Sequence, residues 1–365
     1  MKFRCEREIL AEALSTAARA ATTRSSTHPV LSGLRLDLNG DQLTVTGSDL
    51  ELTIRLQVAV GGDVDGSVVV PARLLADIVK SLPAGAVELT LHDDELSISA
   101  GRSQFSVRPL ALSDYPVQLE TDLEAVSFAS AQMGDALRQV VRAASTDDAR
   151  PVLTGVVLVA EDDGLKMVAT DSYRLAVRDL PPTSILEAGQ KVIVPGRALR
   201  ELERLLDDDE LQIRLGEREV VFEVGSVRLT SRLIEGDPYD YRKLLPPSYP
   251  NRLTVGRDAL LEALRRVKIV AQTQEATPVR LELGGESMRI TAITQDVGNA
   301  SEELDATFDG TEMTVAFNPD YLAQGVDAVH GDEVVLSILD PMKPAILRGA
   351  GHEDYLYLLM PVRVP

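Results

Sequence analysis

The 365-residue sequence predicts an α+β protein built from three similar domains. The first observation behind this is an internal repeat. His28-Pro29-Val30-Leu31-Ser32-Gly33 opens a stretch that runs through Leu43 to Asp49 and Leu52 to Leu56. Arg150-Pro151-Val152-Leu153-Thr154-Gly155 opens a second, through Leu165 to Asp171 and Tyr173 to Val177. Thr277-Pro278-Val279-Arg280-Leu281 opens a weaker third, through Met288 to Ala292. The Pro-Val pairs recur after about 122 and about 127 residues, which is a domain length and not a solenoid repeat of ~20–50 residues. The second observation is that a helix followed by a block of strands occurs twice in each third. The third is that the strands are joined by short hairpin signals such as Asn39-Gly40. Strands in blocks with short hairpins favour antiparallel α+β over a parallel α/β sheet. Domains are expected at 1–120, 121–248 and 249–365. The expected linkers are Ser113 to Leu123 and Pro246 to Arg252, which contain proline and lack periodicity.

Lys2 to Glu6 alternates like a short strand. Ile9, Leu10, Ala13, Leu14 and Ala17 then recur at helical spacing. Strands are expected at Leu34 to Leu38, Leu43 to Thr46 and Leu52 to Leu56. The unit restarts at Val68 to Pro71, and Leu74, Leu75, Ile78, Val79 and Leu82 give the next helix. Pro71 suits a helix start, where its missing N–H costs nothing. Strands at Val87 to Leu91, Leu96 to Ser99 and Gln104 to Arg108 complete the first third. In the second third Val192 to Pro195 matches Val68 to Pro71, and Leu199, Leu202, Leu205 and Leu206 follow as a helix. The last third places Leu260, Leu261, Leu264 and Val267 on one helix. Leu322, Val326 and Val329 lie on another, after Ala316-Phe317-Asn318-Pro319. Six helices are expected in all.

Composition is that of an ordinary globular protein, with 44% hydrophobic and 26% charged residues. No apolar run approaches the ~20 residues of a membrane helix. The charged start, Met1 to Glu8, lacks a signal-peptide core, so a cytoplasmic protein without membrane partners is expected. Cys5 is the only cysteine, which rules out an intrachain disulfide. His28, His92, His330 and His352 have no metal spacing, and there is no phosphate-binding glycine loop, so no cofactor is expected. Asp147-Asp148 and Asp207-Asp208-Asp209 read as solvated turns. Asp49 and Asp171 hold equivalent repeat positions and read as turn or capping residues rather than a catalytic pair.

Net charge is −20, which argues against broad adhesion to polyanions. The charge is nevertheless unevenly placed. The helical regions hold roughly thirteen Lys or Arg against about ten Asp or Glu, whereas the rest holds roughly 24 against 47. Arginine on solvated helix faces explains this as well as a polyanion-facing helix surface does.

Several motifs in order then resemble one family, the bacterial DNA polymerase III β subunits or sliding clamps. They are Met1-Lys2-Phe3 with Glu6-Arg7-Glu8, Val70-Pro71-Ala72-Arg73, Gly101-Arg102-Ser103 and Ala169 to Val177. Val192 to Pro195, Asp240 to Pro246, Ala316-Phe317-Asn318 and Met360-Pro361-Val362-Arg363 complete the set. The resemblance spans the whole chain. It implies a DNA-clamp fold of three domains, each with two helices and antiparallel sheets, in a head-to-tail homodimeric ring. It implies no catalytic activity. Double-stranded DNA would be encircled without sequence reading, with Arg24, Arg73, Arg197 and Arg204 among the lining residues and Gly196 where a basic residue is common.

The implied partners are the DNA polymerase III α subunit and other polymerases, the clamp loader, and mismatch-repair and ligase-type clients. They would dock short hydrophobic peptides on Leu153, Thr170, Ser172, Tyr173, Arg174 and Leu175. Lys243, Leu244, Leu358, Leu359, Met360, Pro361, Val362 and Arg363 would complete that pocket, with Arg174 and Arg363 bonding the peptide. The sequence departs from the family pattern at Pro238-Tyr239, at Lys243 and in the added Pro365. For the dimer interface the resemblance implies Ile269 and Val270, with Glu302 and Glu303 facing Arg102. The residues alone leave open a specialised second clamp, a protein-binding scaffold, or a three-domain enzyme.

Overall fold

The computed structural model describes all residues except 23–27, 117–122, 162–163, 182–184, 208, 246–247, 272–276, 295–296 and 364–365. Six α-helices lie among the described residues: α1 (Arg7–Ala18), α2 (Ala72–Ser81), α3 (Ser130–Val140), α4 (Gly196–Leu205), α5 (Arg257–Ala271) and α6 (Pro319–Asp327). All strand pairings between named strands are antiparallel, and the fold class is α+β.

The chain folds into two compact units, one of Met1–Ala131 with Arg200–Leu233, the other of Gln132–Leu199 with Ile234–Pro365. The first unit holds a five-stranded sheet ordered Gly61–Val64, Lys2–Glu6, Ala86–His92, Glu95–Ala100 and Ser103–Val107. Its second sheet has eight strands. Val126–Phe128, Leu211–Leu215, Glu219–Val224 and Val227–Arg232 are followed by Leu52–Ala59, Gln42–Ser48, Gly33–Asn39 and Gly66–Pro71. The seam between the sequence thirds is thus a strand pair, Leu52–Ala59 against Val227–Arg232.

The second unit carries one twelve-stranded sheet. It begins Lys191–Pro195, Gly155–Glu161, Gly164–Thr170, Arg174–Leu180 and His352–Leu359. It continues Ala345–Gly349, Glu333–Ile338, Asn251–Gly256, Gly298–Asp309, Ser287–Thr294, Val279–Gly284 and Met313–Phe317. Here too the thirds meet in a strand pair, with Leu175 opposite Leu358 and Val177 opposite Leu356.

Helix packing follows the sequence pattern with informative exceptions. Leu10 and Leu14 of α1 and Leu75 and Val79 of α2 are buried, but Ile9 and Leu74 of the same apolar runs face solvent. The helices α1 and α2 lie side by side, so each buries a narrow stripe and leaves one apolar neighbour outside. Gly47 lets α1 press on the sheet, because a Cβ there would lie 2.0 Å from the Ala17 carbonyl oxygen. At the expected linkers, Tyr115 is buried and Asn251 and Arg252 belong to a strand, so strand pairing reaches further than proline content suggests. Residues 117–122 and 246–247 lie outside the described residues.

Asn318 caps α6, its side-chain oxygen accepting from the backbone N–H of Asp320 at 2.9 Å and of Tyr321 at 3.2 Å. Asn318→Ala is expected to destabilise the second unit by about 1 kcal/mol, measured as a lowered urea midpoint with an unchanged slope.

Candidate functional site

The repeat motif Thr170-Asp171-Ser172-Tyr173-Arg174 forms a tight turn between two strands. Asp171 Oδ1 accepts from the N–H groups of Tyr173 at 2.9 Å and Arg174 at 3.0 Å. Thr170 Oγ1 accepts from Ser172 N–H at 3.1 Å, and Ser172 is held at φ +80°. The equivalent turn in the first unit repeats this: Asp49 Oδ1 accepts from Glu51 and Leu52 N–H, and Leu50 has φ +79°. Both aspartates are turn residues, as their equivalence in the sequence indicates.

The turn in the second unit projects Tyr173, which is 61% exposed. Its ring stacks on Tyr321 of α6 with centroids 6.5 Å apart. Met360 N–H donates to the Tyr173 carbonyl at 2.9 Å, and Val362 N–H to that of Ala316 at 2.8 Å. The chain after the last strand therefore runs beside the turn and towards the base of α6. Met360 and Val362 are exposed, and so is Leu244 of the short turn Tyr241–Leu244. Beneath them Leu175 and Leu358 belong to a buried cluster with Val157, Val168, Ile193 and Ile346. Val152, Ile234, Tyr239, Tyr241 and Leu245 pack on it while partly exposed. The result is an apolar surface with an aromatic wall, of a kind that takes hydrophobic side chains.

The residues named from sequence sort into two groups. Tyr173, Leu244, Met360, Pro361, Val362 and Arg363 present surface, and Leu153 is half-buried. Lys243 is exposed beside Asp240, at 3.2 Å. Ser172 Oγ accepts from Arg150 at 3.0 Å. Thr170, Leu175, Leu358 and Leu359 are buried and serve as support.

Arg174 is corrected in role. It is only 8% exposed, and its donors are already engaged. Its Nε meets Asp171 Oδ2 at 3.0 Å, and its terminal nitrogens reach Gln324 Oε1 at 2.5 Å and the Arg142 carbonyl. Its guanidinium carbon lies 4.3 Å from the Tyr321 ring centre. Burial works against its charge, but Tyr357 and Asp171 outweigh it and the pKa is raised. Arg174 therefore anchors the aromatic wall from behind instead of offering a bond to a ligand.

Tyr321, Gln324 and Tyr357 were not singled out by sequence reasoning. Tyr357 donates to the Tyr321 carbonyl at 3.0 Å, and burial pushes its hydroxyl up to about 12, so it stays a donor. Gly325 makes this contact possible, since a Cβ there would lie 2.5 Å from the Tyr357 ring. The departure at Pro238-Tyr239 is structural: Tyr239 donates to the Val168 carbonyl at 3.3 Å. Tyr241, pushed up to about 12 by burial and then by Glu161, donates to Glu161 at 3.1 Å.

The cationic side chains form a second group. Arg24 lies outside the described residues. Arg73 on α2 has a side chain 93% exposed, with Asp77 as a loose neighbour at 3.8 Å. Arg197, Arg200 and Arg204 lie at i, i+3 and i+7 on α4, one exposed face. The six helices as bounded here hold eleven basic and ten acidic side chains, because Arg19 and Arg142 fall just past helix ends. They are near neutral in a chain of charge −20.

The interface residues also differ in availability. Arg102 is exposed in the turn before Ser103–Val107, and Ile269 is 69% exposed, whereas Val270 is half-buried. Glu302 is already gripped by Arg266 in its own chain through two bonds, at 2.6 and 2.7 Å. As an acidic partner for Arg102, Glu302 would therefore share its charge with Arg266. Glu303 remains exposed.

Repeated α+β modules with this seam define a clamp-type fold. Models of the DNA polymerase III beta subunit match its N-terminal domain at residues 1–120, its central domain at 127–239 and its C-terminal domain at 242–363. The chain is 31% identical over 377 residues to the beta sliding clamp of Staphylococcus aureus, covering all of this chain and 99% of that one. It is 34% identical over 379 residues to that of Streptomyces coelicolor, covering both in full. The crystal structure of the Bacillus subtilis DNA polymerase sliding clamp superposes over the full length of both chains with a TM-score of 0.91 at 29% identity. The chain belongs to the DNA polymerase III beta subunit family, the bacterial sliding clamps.

Removing one member of a buried charge pair costs more than the pair itself contributes. Arg174→Ala is therefore expected to destabilise the second unit by about 3 kcal/mol or more, read from urea unfolding. Arg174→Lys should recover less than half of that, since lysine cannot fork between Asp171 and Gln324.

Proposed function

We propose that two copies of this chain close head to tail into a ring that encircles duplex DNA and tethers the replicative polymerase to it. In this reading three domains, 1–120, 121–248 and 249–365, form each half. The helices line the hole, and the protein works in the cytoplasm with no catalysis of its own. The observation that carries the reading is the segregation of charge on a family fold. Exposed arginines ride on near-neutral helices, while strands and loops hold the acid. Such a lining attracts phosphates without reading sequence and holds them loosely enough to slide. The acidic remainder keeps the exterior off DNA.

Two open sheet edges support the homodimer. Among the described residues Ser103–Val107 is bonded on one side only. In Gly298–Asp309, residues 298–305 pair only with Ser287–Thr294, because Asn251–Gly256 takes up Ala306 to Asp309 alone. Open edges are liabilities unless covered. The first is flanked by exposed Arg102 and Arg108, and the second carries exposed Glu303 and Asp305. Opposite signs at two edges favour pairing of one copy's first edge with the other's second. Exposed Phe105 would then meet the apolar end of α5 at Ile269. Light scattering is expected to give twice the 39.5 kDa chain mass, and Phe105→Arg to give the monomer. A monomeric wild type would overturn the ring.

In the same reading the surface around Tyr173, Tyr321 and Met360 takes short hydrophobic peptides from the polymerase III α subunit, other polymerases, the clamp loader, and repair and ligase clients. Arg363 remains a candidate for a peptide carbonyl or carboxylate. A fluorescent peptide of the Gln-Leu-x-Leu-Phe type is expected to bind in the micromolar range and to lose at least tenfold on removal of residues 360–365. Unchanged binding by the truncated protein would place the peptide elsewhere.

A further inference from the structure

Glu201 is one of the few buried carboxylates among the described residues, at 8% exposure, and it sits on the helix face that carries the α4 arginines. Its Oε1 accepts from Arg204 at 2.6 Å. Its Oε2 lies 2.7 Å from Arg19 Nε, just past the end of α1, in an ion pair whose N–H is not aimed along a hydrogen bond. Arg19 is mostly covered and Arg204 more than half exposed, so one buried acid holds a base on each side. Elsewhere on the helices Arg73 has only an exposed aspartate at 3.8 Å. A carboxylate desolvated between two guanidiniums cancels charge far more strongly than a solvated one does.

We propose that Glu201 is a positioning residue for DNA: it fixes Arg204 in place and cancels part of its charge. The phosphate-facing pull of this helix is thereby held below what its arginine count implies. The proposal rests on the reading that these helices face DNA. Loose electrostatic contact suits a ring that must slide, because each phosphate neutralised adds about 0.9 to the salt dependence of binding and a further barrier to movement. Glu201 would act through the arginines and touch no phosphate itself.

The test uses the intact full-length protein and a fluorescein-labelled duplex, with anisotropy measured from 50 to 200 mM salt. Glu201→Gln is expected to bind more tightly at 50 mM and to steepen the plot of log affinity against log salt by about 0.9. Glu201→Asp, which keeps the charge, should stay near wild type. Adding Arg204→Gln to Glu201→Gln should return the slope to near the wild-type value. A merely structural role would lower thermal stability without steepening the slope, and that result would overturn the proposal. A second comparison leaves the buried acid intact. Arg73→Gln should flatten the slope by about 0.9, and Arg204→Gln by less than half as much. Equal effects of the two would also sink the proposal. If Arg73→Gln changes nothing, it is the DNA-facing reading that fails, whatever Glu201 does.

Discussion

The structure depends on two strand pairings that join residues far apart in sequence. Leu52–Ala59 pairs with Val227–Arg232 in one unit, and Arg174–Leu180 with His352–Leu359 in the other. Each turns the sheet of one third into a continuation of the sheet of the next. Backbone N–H and C=O groups that would be left open at a domain edge are satisfied there instead. The pairing also sets register, and register sets chemistry. With Arg174 opposite Leu359, the chain leaves the strand at Met360 beside the Asp171 turn. A slip of one residue would exchange the two buried faces of the last strand, putting Tyr357 and Leu359 where Leu356 and Leu358 pack in their apolar cluster.

The two seams are reinforced by related charge contacts. Arg19-Ala20-Ala21 and Arg142-Ala143-Ala144 hold equivalent places just after the first helix of their thirds. Arg19 reaches Glu201 on α4, and Arg142 reaches Asp327 on α6 at 2.8 Å. Gln139 adds a bond to the Ala328 carbonyl at 2.8 Å in the second seam. The second seam has also gained Arg174, where the first has Leu52 at the same turn position. That difference accounts for the divergent surfaces. Leu52 disappears into the core, whereas Arg174 braces Tyr321 and so maintains an aromatic wall beside exposed Tyr173.

Much of this was legible because it is local or repeated. The six helices, the Asn39-Gly40 hairpin with Gly40 at φ +54°, and the turn role of Asp49 and Asp171 follow from spacing and turn chemistry. The exposed pocket positions were legible only through resemblance to a family. The engaged state of Arg174 was not, since its partners Gln324 and Tyr357 lie 150 and 183 residues away. Likewise nothing in Glu302 itself announces that Arg266, on a different element, already holds it. Sequence reveals which charges exist. Which are already spent is decided by long-range packing.

That distinction governs how the charge of this chain should be read. Counting arginines on the helices and at their ends overstates the field they project, because Arg19, Arg204 and Arg266 each have a carboxylate within 2.7 Å. Those that project most are the ones without a close acid, and Arg73 is the clear case. For a protein that must stay on DNA by enclosure, this is a consistent arrangement. In the proposed ring, enclosure through the sheet seams and the two open edges would supply retention and leave electrostatics to steer and lubricate. A lining of unpaired arginines would bind phosphates tightly and stall. In that proposed arrangement, a lining of paired ones would keep the local sign positive while limiting the number of counterions each step must displace.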